Sequence, residues 1–228
     1  MIYCDKPVDA FVVKKINRFL CEVSINGANV LAHIPNSGRL TELMTPGRKA
    51  IVSKSDNPDR KTACTLRSVW YNRRWVCVDS TTPNALAAEL CGSGRLFGNC
   101  ADVKREHTIG RHRFDLLLTD GNGKKTLVEV KSVTLVENKI ALFPDAPTKR
   151  GVAHLNALIK LTSDGYKRAI LFVILRSDAK SFRPNVKTDS EFTEALKRSK
   201  EAGVLVKAIR CRVGRRSVTS MGHARVVL

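Results

Sequence analysis

Three charged residues stand where packing gives them no reason to be. Residues 113–131, RFDLLLTDGNGKKTLVEVK, read as two apolar runs around a glycine-rich turn, with Asp115 on one arm and Glu129 and Lys131 on the other. If the arms pair antiparallel, facing residues share a constant sum of residue numbers, and 115 and 129 sum to 244. That register centres the turn on Asn122 and sets the two carboxylates opposite each other, with Cβ atoms ~5 Å apart. It requires an odd loop, such as Gly121-Asn122-Gly123 with Gly123 in the left-handed conformation. The competing two-residue Asn122-Gly123 turn moves the register by one and sends the carboxylates to opposite faces. A shared carboxylate face is therefore also an expectation that the loop is odd.

Facing like charges destabilise a sheet by up to ~1 kcal/mol unless something compensates. A divalent cation does so, and Mg²⁺ is typically held by one or two carboxylates while water and substrate phosphate complete its shell. Asp115 and Glu129 are thus the candidate ligands for Mg²⁺ or Mn²⁺. Lys131, two residues along the same face, is the candidate to help activate water and offset charge in a transition state. The bland alternative is a solvated strand face, for Glu-x-Lys recurs at Glu137-Asn138-Lys139 without evident chemistry. The first copy differs in its apolar setting, LVEVKSV, and in the strand-borne Asp115 upstream.

The elements that must position these residues follow from pattern. Residues 10–80 alternate in the β manner through AFVVKKI, RFLCEVSI, ANVLAHI, KAIVSK, TACTLRSVWY and RWVCVDS. Turn signals at Asn26-Gly27, Pro46-Gly47 and SDNPD (55–59) separate them. Such closely spaced short strands predict a small barrel or sandwich over 1–80, with SGRLTEL at 37–43 adding a helical turn. A second unit, 81–228, begins with a helix in TTPNALAAELCGSG, capped by Thr81 or Thr82, opened by Pro83 and ended by Gly92. After the hairpin, Leu155, Leu158, Ile159 and Thr162 share one face of a helix at 149–162. AILFVIL at 169–175 suits a strand covered on both sides. A helix follows in TDSEFTEALKRSKEAG, with Thr188-x-x-Glu191 as a capping box and Gly203 as its stop, and VLVKAIRCRV is a last strand. The order α-β-β-β-α-β-α-β predicts an α/β domain.

Forty Lys and Arg against 21 Asp and Glu give a net charge of +19 in 228 residues. A surplus of that size fits a polyanionic partner, because neutralised phosphates release condensed counterions. No run is long and apolar enough for a membrane helix, and the first residues lack a signal-peptide pattern. The seven cysteines form no C-x-x-C pair, and several lie in apolar runs where a reduced thiol simply packs. Together these predict a cytoplasmic protein that binds nucleic acid and has no membrane partner. A homodimer is compatible with the sequence.

Asp115 with Glu129-Val130-Lys131 resembles the bipartite signature of the PD-(D/E)XK nucleases, the restriction-endonuclease-like superfamily. Three longer stretches, HIPNSGRLTELMTPG (33–47), RFDLLL…VEVKSVTL (113–135) and ALFPDAPTKRGVAHLNAL (141–158), resemble the sugar fermentation stimulation protein A family over essentially the whole chain. The resemblance implies an N-terminal OB-fold barrel followed by a restriction-endonuclease-like α/β domain with a mixed sheet. It also implies DNA binding, with a role in regulating sugar-utilisation genes. By position, Asp115 and Glu129 become the metal carboxylates and Lys131 the lysine of the nuclease motif, although Phe114 stands where the motif has proline. Members often add an acid, for which Glu89 and Glu106 are candidates.

Other residues invite a phosphate. In FPDAPTKRG, Thr148 can cap the following helix, and Lys149, Arg150 and free N–H groups would face an anion. The alternative is a rigid loop in which Asp145 satisfies nearby backbone donors, although Asp145 is also a candidate auxiliary acid. His154 reads as a polar surface or hydrogen-bonding residue rather than a general base. Arg113 beside the hairpin, and Arg39 in the Asn36–Arg39 turn, are further phosphate candidates. Trp70, Tyr71, Arg73, Arg74 and Trp75 suit base stacking, but alternation argues that at least one tryptophan belongs to the core. Three functions follow: a metal-dependent DNA nuclease, a non-catalytic DNA-binding regulator, or an RNA-binding or RNA-processing protein.

Overall fold

The alternating runs form six strands: β1 (Val8–Lys15), β2 (Leu20–Ile25), β3 (Ala28–His33), β4 (Lys49–Lys54), β5 (Cys64–Tyr71) and β6 (Arg74–Cys77). The computed structural model describes residues 1–55, 59–161 and 165–228; most of the predicted SDNPD turn, and Thr162, lie outside them. Antiparallel pairing joins β1 to β2 and β4, β2 to β3, and β4 to β5. A short parallel pairing of β3 with β5, Ala32↔Cys64 and His33↔Thr65, closes β1–β5 into an OB-like barrel. Its core is the inward set of the period-two pattern, including Ala10, Val12, Cys21, Val23, Ala50, Leu66 and Val76. The SGRLTEL segment makes only a turn, with the Leu43 and Met44 N–H groups donating to the Leu40 carbonyl. Neither tryptophan enters the barrel core. Trp70 is exposed, and Trp75 packs against the core of the second domain.

The second domain holds α1 (Thr82–Gly92), β7 (Asp102–Ile109), β8 (His112–Thr119), β9 (Lys125–Val133), β10 (Leu135–Glu137), β11 (Ile140–Phe143), α2 (Lys149–Lys160), β12 (Lys167–Ile174), β13 (Ser181–Pro184), α3 (Ser190–Glu201), β14 (Leu205–Val213), β15 (Val218–His223) and β16 (Arg225–Val226). The main sheet has the order β15-β14-β12-β9-β8-β7. Its centre is parallel, with β12 between β9 and β14, and its edges are antiparallel. As the unbroken apolar run requires, β12 is covered on both faces. Leu171 and Val173 meet Leu86 and Leu90 of α1 on one side, while Ile170 and Phe172 meet Leu155 of α2 and Phe192 of α3 on the other.

A smaller sheet, β10-β11-β13-β16, was not expected from the sequence. Its first turn is Asn138-Lys139, both with positive φ, so the second Glu-x-Lys copy is turn chemistry rather than a site. Two helix starts also differ from expectation. Thr81 makes no side-chain cap; the buried Asp79 instead accepts from the Thr81 N–H and hydroxyl through Oδ1, and pairs with Arg67 through Oδ2. Asp189, not Thr188, caps α3, taking the Phe192 N–H at 2.9 Å. A carboxylate is a stronger acceptor than a hydroxyl at such a position. All seven cysteines are free, and six are buried. Among the described residues no helix is long and apolar enough to cross a membrane.

Candidate active site

The hairpin has the odd loop. Its pairs run from Leu116↔Val128 to Thr119↔Lys125, each summing to 244. Asp120 sets this parity: its Oδ1 accepts the Asn122 and Lys124 N–H groups at 2.9 Å, and its own N–H donates to the Lys124 carbonyl at 3.0 Å. Gly123 closes the loop at φ +76°, a value glycine adopts without Cβ strain.

The β8–β9 ladder ends at Leu116↔Val128, one position short of the carboxylates. There a side chain replaces the backbone acceptor, and Val130 N–H donates to Asp115 Oδ2 at 2.7 Å. Asn84, near the start of α1, donates to Asp115 Oδ1 at 2.7 Å. Glu129 is 2% exposed. Lys131 Nζ lies 2.5 Å from Glu129 Oε1, and His154 Nδ1 from α2 meets the same oxygen. An ionised carboxylate only accepts, so Nδ1 carries that proton. The imidazole packs beside Phe114 and His112, with ring centroids 6.1 and 6.2 Å away. Glu129 Oε2 and Ser132 Oγ are buried without a hydrogen-bond partner, which in a native fold signals a ligand or water.

The two carboxyl groups are driven apart electrostatically. Burial, and then the nearby Glu129 charge, push the Asp115 pKa up, against the Val130 N–H, Lys131 and Asn84. Burial works in the same direction on Glu129, but Lys131 and His154 outweigh it and hold the pKa below the ordinary carboxylate value. Both groups lie in a cleft of about 330 Å³ between the domains, which Lys131, Ser132, Arg150, and Arg18 and Ser37 of the barrel also line. Among the described residues no cluster of three or more His, Cys, Asp and Glu is placed to hold a metal. Two carboxylates with one unpaired buried oxygen still fit a hard cation that keeps water and phosphate in its shell.

The structure gathers Asp115, Glu129, Lys131, Asp145 and Arg150 at this cleft. Asp145 turns towards the barrel: its Oδ2 accepts the Leu40 N–H at 3.3 Å. It also lies so close to Gly38 that a Cβ there would come within 2.4 Å of it. Its backbone donor is 105 residues away, not local as the rigid-loop reading held. Thr148 caps α2 by accepting the Gly151 N–H at 3.0 Å, and Arg150 follows it into the cleft while Lys149 stands exposed beside it. Glu89 is not brought to the cleft; it faces solvent 3.7 Å from the Met1 ammonium. Glu106 and Arg113 sit 3.7 Å from each other, both exposed, and neither lines the cleft. Arg39 is exposed, and its carbonyl accepts from Lys15 Nζ at 2.6 Å. His154 is buried at 6% exposure, so it is a hydrogen-bonding residue but not a surface one. Sequence reasoning missed Asn84, Ser132 and Arg18; the one signal for Asn84 was an amide in the apolar first turn of α1.

A family model described as the SfsA N-terminal OB domain matches residues 13–78, and one described as the sugar fermentation stimulation protein RE domain matches 81–217. A sugar fermentation stimulation protein homolog of Carboxydothermus hydrogenoformans is 45% identical over 227 residues, covering 97% of each chain. One from Natranaerobius thermophilus is 41% identical, covering 91% of this chain and 90% of the relative. The solved structure of Pyrococcus furiosus SfsA in complex with Ca²⁺ matches with a TM-score of 0.91 and 28% identity, over 100% of this chain and 98% of that one. The second domain is thus restriction-endonuclease-like, the first is an OB domain, and the chain belongs to the sugar fermentation stimulation protein family.

Proposed function

We propose that this protein is a divalent-metal-dependent phosphodiesterase acting on nucleic acid, most readily DNA, in the cytoplasm. The observation that carries the reading is the buried Glu129, with one oxygen unpaired, set across the hairpin from Asp115 in a cleft that also holds Lys131. A bound Mg²⁺ or Mn²⁺ would activate water and neutralise phosphate charge. Asp115 and Glu129 would hold it, and the Ca²⁺ complex of the Pyrococcus furiosus relative supports a divalent site in this family. Asn84 and the Val130 N–H fix the Asp115 carboxylate, and His154 fixes Glu129. Lys131 stands beside the carboxylate to offset charge building on phosphate oxygens, and Arg150 orients the backbone of the substrate from the wall of the cleft. The net charge of +19 supplies long-range attraction.

Plasmid, single-stranded DNA and RNA incubated with and without Mg²⁺ or Mn²⁺ test this. Cleavage should require metal and fall at least ~100-fold in Lys131→Ala, while nucleic-acid affinity by anisotropy stays within about threefold and keeps its steep salt dependence. Cleavage of no substrate under any metal would leave a binding protein, the regulator of sugar-utilisation genes among the options; a footprint at a defined operator would then be the evidence to seek.

A further inference from the structure

A row of large side chains crosses four adjacent strands on the outer face of the barrel. Phe11 of β1 pairs with Lys49 of β4. The Ala50↔Val69 register sets Lys49 beside Trp70 of β5, and Trp70 pairs with Trp75 of β6. Their chain neighbours Ala10, Val12, Ala50, Val69 and Val76 point into the barrel core, so the row faces outward by strand alternation. Phe11 is 48% and Trp70 37% exposed. Trp70 and Trp75 meet edge to face with centroids 5.1 Å apart. Asp9 and Arg215 line the same depression of about 440 Å³, locked together at 2.8 and 3.0 Å.

Trp75 is partly covered by the core of the second domain and braces Trp70 edge-on. Barrel packing does not require Phe11 and Trp70 to face solvent, and exposed aromatic side chains beside a cation mark a contact surface. Four strands at ~4.8 Å spacing give a row roughly 14 Å long, enough for about two bases laid on aromatic faces, with Lys49 between them for a phosphate. Bases in a duplex have their faces covered by stacking; bases of an unpaired strand do not. Stacking on aromatic side chains is the sequence-tolerant way a protein holds such a strand.

We propose that the Phe11–Lys49–Trp70–Trp75 row is a stacking platform for unpaired nucleobases of single-stranded DNA or RNA. It rests on the reading that the partner is nucleic acid, not on cleavage, and it shares no residue with the carboxylate cleft. The two tryptophans in the row are the only two in the chain, so intrinsic fluorescence reports the site directly. The full chain, in EDTA, is titrated with labelled single-stranded DNA, single-stranded RNA and duplex DNA, following tryptophan emission and label anisotropy together.

Single strands should quench emission saturably, the DNA-to-RNA affinity ratio identifying the preferred source. Phe11→Ala and Trp70→Ala should each weaken single-strand binding by about fivefold or more and duplex binding far less, with Trp70→Phe restoring most of the loss. Single strands that bind without changing emission, and bind both alanine variants like the parent, would overturn the platform and leave the nucleic-acid reading standing. No binding of any strand would overturn both. Self-association that disappears in Phe11→Ala would assign the row to a second copy of the chain and overturn it too. Loss of metal-dependent cleavage alone has no bearing on this outcome.

Discussion

At Glu129 one oxygen serves two donors while the other serves none. Lys131 Nζ and His154 Nδ1 both meet Oε1, and Oε2 is buried without a partner. A charged group this enclosed persists only with compensation, and the two nitrogen donors supply it for half the carboxylate. Asp115 has the opposite balance, with a raised pKa in which burial and Glu129 prevail over its hydrogen bonds. A cation would relieve both strains. Asn84 should therefore act through Asp115: Asn84→Ala removes the 2.7 Å hydrogen bond that orients Oδ1 without opening a core. Outer-shell partners of metal ligands are typically worth 10–100-fold in affinity, so Ca²⁺ affinity by calorimetry should fall by about that factor while Tm changes little. An unchanged affinity would show that Asn84 does not orient the ligand. Of this site, Asp115, Glu129 and Lys131 were legible because strand alternation converts spacing into a shared face. Asn84 was not, because nothing local links the first turn of α1 to a strand 31 residues on.

The hairpin shows what an element adds to its residues. Asn122-Gly123 is as good a two-residue turn as any, and pattern alone left the parity open. The decision comes from Asp120, whose carboxylate gathers two backbone N–H groups of the longer loop. Deleting Asn122 should make the loop even and turn Asp115 away from Glu129, abolishing divalent binding; a two-residue glycine insertion at the same place, which keeps parity, should retain it. Equal binding by both would mean that loop parity does not set the register. Helix α2 sets a second limit. A Cβ on Gly151 would lie 2.8 Å from Thr148 and 3.1 Å from Phe192, where overpacking costs about 1–3 kcal/mol. Gly151→Ala should accordingly lower the urea midpoint and loosen the turn that carries Arg150 to the cleft. The strands and helices with strong periodicity were readable in the sequence. The β10–β11 and β13 pieces were not, since three or four residues carry too little pattern and their pairing depends on the larger sheet.

The two domains pack against each other through apolar and charged contacts, and residues of both line the cleft. Cys77 at the end of the barrel packs into the core of the second domain with Leu86 and Leu90, and Tyr71 of the barrel receives the Arg176 guanidinium 5.0 Å from its ring centre. Arg176, 1% exposed, is held by Asp178 through bonds of 2.9 and 2.7 Å, and Arg74 of the barrel reaches the same carboxylate at 2.7 Å. Asp178 is thus the charge that ties an arginine from each domain. Burial opposes its ionisation, but the Arg176 and Arg74 guanidiniums prevail and lower its pKa from 3.8 to about 2. A carboxylate with a depressed folded pKa binds fewer protons folded than unfolded, so its contribution is complete above pH ~4 and is lost as pH falls towards 2. Asp178 is partly open to solvent, which screens the pair and limits this contribution to about 1 kcal/mol. Asp178→Asn imitates the protonated acid in shape. The parent should be more stable than the variant by that amount from pH 5 to 7 in denaturant titrations, and the gap should close between pH 4 and 2. A gap independent of pH over that window would mean that the Asp178 charge does not tie the two arginines.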